Sequence, residues 1–289
     1  MSRPPQIAII IVNWNGREDT LACLASLREL TYPHTSIVLV DNGSTDDSVA
    51  AVRARFPAVT ILEEKRNLLF AGGNNRGITY ARKHGADHVM LLNNDTIATP
   101  ELVTHLVNRL ESDSSIGMVA PKIYYDSDPQ RIWFAGARIR PWLGTMAHQG
   151  IRQIDRGQFD EAKETDYATG CCVLVRGEVL ERVGLMDESY RMYVEDADWS
   201  VRARKAGYRI FFEPAATLRH KVSASAGGNL SFFKLRNKLF SQIRFFRRYA
   251  AWYHWLVIPW MSILINLYLL LSLSLQHSHD SQSGPHGEK

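Results

Sequence analysis

Cysteine is scarce in this 289-residue sequence, which has Cys23 and the adjacent Cys171 and Cys172. Three cysteines form no disulfide framework, and none of the spacings matches a metal-ligand pattern such as C-x-x-C. We therefore expect a protein of a reducing compartment. The apolar run Ile7–Val12 is too short for the core of a signal peptide, so this part of the protein is expected to stay in the cytoplasm.

Two common nucleotide-binding motifs are also missing. No G-x-G-x-x-G follows the first apolar run, and no G-x-x-x-x-G-K-[ST] occurs anywhere in the chain. These absences exclude the dinucleotide fingerprint of Rossmann folds and the phosphate-binding loop of NTPases. Any nucleotide must therefore be held by a different arrangement of side chains.

Acidic residues are absent from Pro214 to His279. Residues 214–289 contain nine Lys or Arg against Asp280 and Glu288, a net +7, which leaves −3 for residues 1–213 of a chain with net charge +4. A nucleic-acid-binding protein usually spreads basic and aromatic residues over its binding face, whereas here a basic block directly precedes an apolar one. This order predicts contact with a membrane surface and no nucleic-acid partner.

The apolar segment Trp255–Leu275 follows that basic block. Its 21 residues would reach about 31 Å as a helix, enough to cross the hydrocarbon core of a bilayer. Pro259 and the tryptophans also fit a helix that lies in the interface or packs on the enzyme. We expect the protein at the cytoplasmic face of the cell membrane, attached either peripherally or by a single span.

Apolar strands alternate with helical segments in the first 110 residues. The predicted strands are Ile7–Val12, Ile37–Val40, Val59–Leu62 and Val89–Leu92, and the predicted helices are Asp19–Glu29, Ser44–Arg55, Asn74–His84 and Pro100–Leu110. Such alternation is the signature of an α/β fold with a doubly wound, mostly parallel sheet. We expect a catalytic domain over residues 1–225 and a basic, apolar helical tail over residues 226–289.

Regular patterns are weaker after residue 110. Residues 123–165 show no lasting period and predict short antiparallel strands and loops that cover a crevice and shape acceptor selection. Further elements are then predicted in chain order: a strand at Tyr167–Val175, a helix at Gly177–Val183, a helix from about Glu195 to Ala206, and strands at Arg209–Phe212 and Thr217–His220.

Each of the first four strands is followed by polar residues. These endings are Asn13–Gly16, Asp41–Asp46, Asn67 with Gly72–Asn75, and Asn93–Thr96. The carboxyl ends of parallel strands open onto one ligand crevice, so the four endings are expected to meet there. Asp95 at its mouth suits a hard cation that carries a phosphate ester. The alternative is a turn leading to a helix with Thr99 as its N-cap and Pro100 as its first residue.

Two of these endings have competing interpretations. Asp41 is placed to accept a hydrogen bond from a pyrimidine base or a ribose hydroxyl, but it also fits a turn-forming residue, with Ser44 or Thr45 capping the next helix. Gly72 and Gly73 would let the backbone approach an anion at a helix N-terminus, or they form a plain glycine-rich loop.

The acidic segment Glu195-Asp196-Ala197-Asp198 opens a predicted helix. Acidic residues in a first turn offset the helix dipole, and Asp198 with Arg202 makes an i,i+4 pair, so we interpret Asp198 as structural. Glu195 and Asp196 lie at the very N-terminus of the helix, where they are candidates for chemistry in a crevice. A lone histidine such as His220 is more often structural than a ligand.

Six motifs together resemble one family. They are Val12–Gly16, Leu39–Asp46, Phe70–Asn75, Leu91–Asp95, Thr169–Cys172 and Glu195–Asp198. In this order and spacing they resemble family 2 glycosyltransferases of the GT-A fold, and they are most similar to bacterial rhamnosyltransferases. The resemblance spans about residues 6–221.

The resemblance implies roles for individual residues. Asp41 would read the pyrimidine base, Asp95 would bind the metal, His220 would be a second metal ligand, and Asp196 would be the catalytic base. The expected nucleotide-sugar site contains Asn13, Asn15, Asp41, Asn67, Gly73, Asn74 and Asn94. The expected cofactor is a divalent cation, Mg²⁺ or Mn²⁺. Where the family often has Asp-x-Asp, this chain has Asn93-Asn94-Asp95, which gives His220 more weight.

The resemblance implies an inverting transferase that moves rhamnose, expected from dTDP-rhamnose, to a hydroxyl of a cell-surface glycan or lipid-linked precursor. Such chemistry needs one cation to neutralise the leaving diphosphate and one base to activate the acceptor. The alternatives are a catalytically silent, membrane-tethered GT-A protein and a sugar nucleotidyltransferase. The nucleotidyltransferase would want a basic loop after the first strand, and Asn13–Gly16 has no basic residue.

Overall fold

The computed structural model describes residues 3–190, 192–222, 232–260 and 264. It confirms the predicted α/β class. The strands are β1 Ile7–Asn13, β2 Thr35–Asp41, β3 Thr60–Glu63, β4 His88–Asn93, β5 Thr96–Ala98, β6 Ile116–Tyr125, β7 Asp128–Phe134, β8 Ala137–Arg140, β9 Thr145–His148, β10 Lys163–Glu164, β11 Cys172–Arg176 and β12 Arg209–His220. The helices are α1 Arg17–Leu27, α2 Ser48–Arg55, α3 Leu69–Lys83, α4 Leu102–Glu111, α5 Gly177–Val183, α6 Glu195–Lys205 and α7 Phe232–Tyr249. Short 3₁₀ turns cover Pro141–Leu143 and Trp252–Leu256.

Ten strands form one mixed sheet, whose main path runs β10-β12-β6-β11-β4-β1-β2-β3. Strands β1 to β4 are parallel, and β12 is parallel to β6. Strand β11 is antiparallel to both β4 and β6, so its beginning lies at the edge where β4 and β6 end. One edge of the sheet therefore collects the ends of β1, β2, β4 and β12 and the start of β11.

The centre of the sheet is buried on both faces. Ile9, Ile10 and Ile11 of β1 have no exposed surface, as the continuous apolar run predicts for a parallel strand with helices on both sides. Helix α3 packs so closely on this strand that a Cβ atom at Gly77 would lie 2.3 Å from the Ile10 side chain. The position therefore requires glycine.

Gly72 and Gly73 correct the sequence interpretation. They lie inside the first turns of α3, which begins five residues earlier than predicted, and not in a loop before it. A Cβ atom at Gly73 would lie 2.9 Å from Val12 and 3.1 Å from the Asn42 amide. Gly73 therefore lets α3 pack closely on the sheet, and its place in the nucleotide-sugar site stays a prediction.

Other boundaries also differ from the prediction. The segment before α4 forms the short strand β5, which pairs with β12, and α4 starts after a Glu101 cap in place of the predicted Thr99 cap. Helix α2 starts at Ser48, because Ser44 bonds to Asp41 and does not cap a helix. The strands predicted at Arg209–Phe212 and Thr217–His220 are one strand, β12, with a register shift after Glu213.

Strand β6 was not predicted. Gly117 and Pro121 interrupt its apolar run, and both residue types weaken strand patterns. In the structure Pro121 lies beside the register shift in the pairing with β12, where an interrupted ladder tolerates a residue without an N–H group. A Cβ atom at Gly117 would meet Tyr208 at 2.7 Å, so close packing explains this glycine.

The chain divides into two compact units. Unit 1 comprises Met1–Arg138 and Ala147–Ser241, and unit 2 comprises Ile139–Met146 and Gln242–Lys289. Within the described part of the chain, no helix is long and apolar enough to span a membrane. Most of the predicted apolar segment, residues 261–263 and 265–275, lies outside the described residues.

Candidate active site at the strand ends

Asn13 at the end of β1 is the centre of a buried hydrogen-bond network. Its Nδ2 donates to Asp41 Oδ1 at 3.0 Å and to Ser44 Oγ at 3.1 Å. Its Oδ1 accepts from Thr20 Oγ1 at 2.9 Å and, at 3.3 Å, from Asn94 Nδ2. Because every polar atom of the fully buried Asn13 amide is used, this residue positions its neighbours.

Asp41 forms the turn that one of its two sequence interpretations predicted. Its Oδ2 accepts the Ser44 backbone N–H at 3.0 Å and its Oδ1 accepts the Ser44 hydroxyl at 2.6 Å, which fixes the turn after β2. Because Oδ1 also accepts from Asn13 Nδ2, the acceptor capacity that this geometry leaves for a base or ribose group lies on Oδ2. The turn-forming interpretation is thus confirmed, and base recognition remains a proposal.

Asn15 ties the first two strand endings together. It is exposed and adopts a left-handed backbone, with φ of 52°, which asparagine tolerates better than most residues. Its Oδ1 accepts the backbone N–H groups of Thr45 and Asp46 at 2.7 and 3.3 Å, while its own N–H donates to Ser44 Oγ at 2.9 Å. The loops after β1 and β2 therefore form one rigid rim.

Asn42 holds the chain segment that follows β3 and leads into α3. Its Nδ2 donates to Asn67 Oδ1 at 3.2 Å and to Leu69 O at 3.0 Å, and its Oδ1 accepts from Leu68 N at 3.2 Å. Leu69 has φ of 63°, an uncommon conformation for leucine. The predicted residue Asn67 is exposed, and it caps this strained turn by accepting Leu69 N–H at 2.7 Å.

Asn74 and Asn75 face different partners. The predicted residue Asn74 is buried and donates back to Phe70 O at 2.9 Å within α3. Asn75 instead exchanges hydrogen bonds at 3.0 Å with the backbone of Met186, and it donates to Glu188 Oε1 at 2.9 Å. Asn75 thus fixes the loop before α6, a role that only the tertiary structure reveals.

Asp95 and His220 meet, as the resemblance implied. Their side chains are buried, and His220 Nε2 lies 3.1 Å from Asp95 Oδ1. The pair forms because β12 ends beside β5, where His220 is in register with Thr96. Among the described residues, no group lies within hydrogen-bonding distance of His220 Nδ1. A single carboxylate from the Asn93-Asn94-Asp95 segment is therefore joined by an imidazole.

Aromatic rings surround His220. Trp133 of β7 packs edge-on against His220 at 4.6 Å and against His148 at 4.7 Å. His148 in turn lies 6.1 Å from Tyr167. Burial lowers the pKa of His148 to about 4, so this imidazole is neutral at physiological pH. The segment that the sequence left without a regular pattern thus supplies an apolar, uncharged wall beside the Asp95–His220 pair.

The start of α6 is strained. Tyr193 and Val194 both adopt left-handed conformations, with φ of 69° and 75°, and a β-branched valine rarely does so. Ser241 of α7 fixes the chain just before this turn by donating from Oγ to Met192 O at 2.8 Å. Strain of this kind clusters at functional sites and is held by surrounding structure. No sequence pattern signalled it.

Glu195 and Asp196 follow this turn. Asp196 Oδ2 accepts the Gly170 N–H at 2.9 Å, and its Oδ1 accepts its neighbour's N–H, from Ala197, at 2.8 Å. Glu195 is 6% exposed, and burial, with a further contribution from Asp196, raises its pKa to about 8. Burial also raises the pKa of Asp196, while the backbone donors oppose that rise.

Asp198 differs from both. It is fully buried, and its Oδ2 accepts from Arg202 Nε at 2.8 Å, which is the predicted i,i+4 pair. Its Oδ1 lies 3.3 Å from the Tyr190 hydroxyl, which donates to it. The structural interpretation of Asp198 is thus supported by a cation and a hydroxyl in direct contact.

The beginning of β11 links the two acidic sites. Asn93 N donates to Cys171 O at 2.9 Å, and the adjacent Gly170 N donates to Asp196 Oδ2. Burial and the nearby carboxylates of Asp95 and Asp196 raise the pKa of the Cys171 thiol well above its usual range. Asp95 and Asp196 therefore both lie near the same short backbone segment.

Comparisons with known proteins agree with this architecture. The model of the family described as glycosyl transferase family 2 matches residues 8–184. An N-acetylglucosaminyl-diphospho-decaprenol L-rhamnosyltransferase of Mycobacterium tuberculosis is 26% identical over 94% of this chain and 95% of its own length. The dTDP-rhamnosyl transferase RfbF of Shigella flexneri is 23% identical over 75% of this chain and 69% of its own length.

Solved structures show the same fold. The mannosyltransferase PcManGT from Pyrobaculum calidifontis, in complex with GDP-Man and Mn²⁺, matches 78% of this chain with a TM-score of 0.57 and 20% identity. GalNAc-T7, solved with UDP, GalNAc and Mn²⁺, matches 84% with a TM-score of 0.65 and 15% identity. The matches span 59% and 48% of those two chains. Since the family model covers more than half of the sequence, including the strand ends that build the crevice, this chain belongs to glycosyl transferase family 2 and is a glycosyltransferase.

Proposed function

We propose that this chain is an inverting glycosyltransferase that moves a sugar, expected to be rhamnose from dTDP-rhamnose, to a hydroxyl of a cell-surface glycan or its lipid-linked precursor. The observation that supports the proposal is the segment Gly170–Cys171, where Gly170 N donates to Asp196 Oδ2 and Cys171 O accepts from the backbone of Asn93, two residues before Asp95. The names of the two rhamnosyltransferase relatives support the choice of sugar.

The Asp95–His220 pair fits a divalent cation. Two neighbouring ligands of an octahedral ion with bonds of about 2.1 Å lie about 3.0 Å apart, close to the 3.1 Å between His220 Nε2 and Asp95 Oδ1. No group of three or more His, Cys, Asp or Glu side chains suited to a metal occurs among the described residues, so a donor diphosphate would complete the coordination. A bound cation would neutralise the charge that develops on the leaving diphosphate. The imidazole favours Mn²⁺ over Mg²⁺.

Asp196 is the proposed general base. It would take the proton of the acceptor hydroxyl while that oxygen bonds to the anomeric carbon, and the electrons of the broken carbon–oxygen bond would leave with the diphosphate. One base and one leaving group describe a single displacement, which inverts the anomeric centre. The backbone N–H groups of Gly170 and Ala197 orient the carboxylate and favour its charged form.

The nucleotide would lie along the ends of β1 and β2. Asp41 is the proposed partner of the base, and the rim formed by Asn15 and the loop after β2 would border the nucleoside. Asn13 and Asn94 would support this rim from below, because the Asn94 amide donates hydrogen bonds to Asn13 and to Thr20.

Unit 2 is the proposed membrane-binding surface. Three tryptophans are exposed there, Trp142, Trp252 and Trp260, the last two at 78% and 69%. Trp142 stacks near Tyr253 at 5.4 Å, so residues distant in sequence share one aromatic patch within this unit. The same unit contains the exposed, cationic Arg247. Interfacial tryptophans with neighbouring cations suit an anionic lipid surface, and we propose the cytoplasmic face of the cell membrane.

The transferase proposal is tested by incubating the protein with Mn²⁺, a panel of nucleotide sugars and candidate acceptors, and measuring release of nucleoside diphosphate. We expect dTDP-rhamnose to give the highest rate, with inversion of the anomeric configuration in the product. Products of retained configuration would rule out the single displacement, and a different preferred donor would overturn the choice of rhamnose.

The membrane proposal is tested by sedimentation with vesicles of phosphatidylcholine, with and without phosphatidylglycerol. We expect binding that requires the anionic lipid, weakens with salt, and falls in a Trp252→Ser/Trp260→Ser variant. Ile151→Ser is the matched control, because Ile151 is an exposed apolar residue of unit 1. Equal binding of all three proteins would contradict the assignment of this surface.

A further inference from the structure

Glu195 is a buried carboxyl group that the proposed mechanism leaves unused. Its Oε2 has no solvent contact, and within the described part of the chain it has no hydrogen-bond partner. A charged oxygen in such a position would have neither water nor a cation to stabilise it, which costs far more free energy than a neutral carboxyl group does. The geometry at Oε2 therefore favours the protonated form.

Asp196, the next residue, has a different environment, although the Glu195 backbone N–H also acts to lower the pKa of its own carboxyl group. Each of its oxygens accepts a backbone N–H, from Gly170 and from Ala197, and such donors stabilise a carboxylate. Two adjacent carboxyl groups in a buried site do not both ionise readily, because each charge raises the proton affinity of the other. The environments therefore assign the single negative charge to Asp196.

We infer that Glu195 keeps a proton in the working enzyme and thereby acts as a positioning residue, leaving Asp196 as the sole anion of the pair. The inference deepens the proposed function and rests on Asp196 as its base. During transfer the acceptor proton moves to Asp196, and the proton of Glu195 stays in place. The pair then passes from one negative charge to none, so no step requires two buried charges.

Three titratable groups beside the pair are neutral, and the nearby Asp198 is paired with Arg202. Tyr167 and Cys171 face Asp196 from the segment before β11, and Tyr193 faces Glu195 from the strained turn. Burial raises the pKa of all three groups, so none supplies a compensating or competing charge near neutral pH. The pKa of about 8 for Glu195 agrees with the geometry.

A pH-dependence of stability follows. The folded pKa of Glu195 lies above the unfolded value of about 4.3, so the contribution of this group to stability is fully present at acidic pH. It is lost as the pH rises toward 8, because the unfolded chain releases the proton and the folded chain retains it. Glu195→Gln keeps the neutral shape and removes the titration.

The experiment compares wild type, Glu195→Gln and Asp198→Asn in melting temperature from pH 5 to pH 9 and in the pH profile of kcat. Glu195→Gln should melt close to wild type at pH 5 and clearly above it at pH 8, and it should keep turnover at pH 7 within a few-fold while losing the alkaline decline near pH 8. Asp198→Asn is the matched control, since it removes a paired buried carboxylate: it should melt below wild type at neutral pH and keep the alkaline decline.

A Glu195→Gln protein that melts no higher than wild type at pH 8, that keeps the alkaline decline, or that is folded but inactive at every pH would overturn the inference. The melting series needs no substrate. If no nucleotide sugar is turned over by wild type, the proposed function fails, whereas the melting temperatures still decide whether Glu195 retains its proton.

Discussion

The two sides of the crevice treat their buried polar groups differently. On the β1–β2 side, the amide of Asn13 and the carboxylate of Asp41 bond to several neighbours each. On the α6–β12 side, Glu195 Oε2 and His220 Nδ1 are buried without partners among the described residues. Backbone strain occurs on both sides, at Leu69 on the first and at Tyr193 and Val194 on the second.

This difference separates the residues that bind the ligand from the residues that take part in the reaction. A closed hydrogen-bond network fixes the shape of a binding site before the ligand arrives, which lowers the entropic cost of binding. Unpartnered buried atoms cost stability, and proteins retain them where chemistry needs a proton or a metal bond. The comparison predicts that substitutions on the first side mainly change donor affinity and stability, and those on the second side mainly change turnover.

The largest effect is expected for Asp95→Asn. The amide keeps the size of the side chain but removes the negative charge beside His220, so the cation should be lost and turnover should fall to the background of the assay. Diphosphate release and Mn²⁺ binding by calorimetry measure the two effects, and an unchanged melting temperature shows that the fold persists. Activity that survives both this substitution and a chelator would contradict the proposed role of the pair.

Asp196→Asn should have the next largest effect. A positioned base contributes about 10²–10⁴ in rate, so kcat should fall by that order while the KM for the donor changes little. Binding of nucleoside diphosphate, measured by calorimetry, should remain. Near-normal kcat in this variant, together with an inactive and folded Glu195→Gln protein, would move the base to Glu195.

Asn13→Ala tests the other side of the crevice. The substitution leaves Asp41, Thr20 and Asn94 without their shared partner, and unsatisfied buried groups of this kind cost about 1–3 kcal/mol. We expect a lower free energy of unfolding in urea and a higher KM for the donor, with a smaller change in kcat than in Asp196→Asn. A lower kcat with an unchanged donor KM and an unchanged free energy of unfolding would contradict the proposed difference between the two sides.

The smallest effect is expected for Asn15. Because the side chain is exposed, its removal should change the free energy of unfolding by less than about 1 kcal/mol and raise the donor KM moderately. Asn15→Gly tolerates the left-handed backbone and Asn15→Ala does not, so glycine should be the milder variant. Equal KM values for both variants and wild type would show that the rim does not border the donor.

The sequence predicted most of the fold for a physical reason. Parallel strands buried on both faces must be continuously apolar, and the polar residues that end them stand out, as at Ile7–Asn13 and His88–Asn93. The sequence prediction was wrong where tertiary packing overrides local pattern: Gly117 and Pro121 concealed β6, and Gly72 and Gly73 concealed the first turns of α3.

In the candidate site, too, the sequence predicted some features and only the tertiary structure decided the others. The residue types and their order along the chain determined by themselves that Asp41 and Asp95 lie near one edge of a sheet, because that edge follows from strand direction alone. Asp196 opens a helix, so its contact with Gly170 was decided by the tertiary structure. The pairing of β12 with β5 decided that His220 reaches Asp95, since sequence separation carries no information on that contact. Tertiary structure alone also decided which carboxyl groups have donors and which have none, because burial and hydrogen-bond partners arise from segments that are distant along the chain.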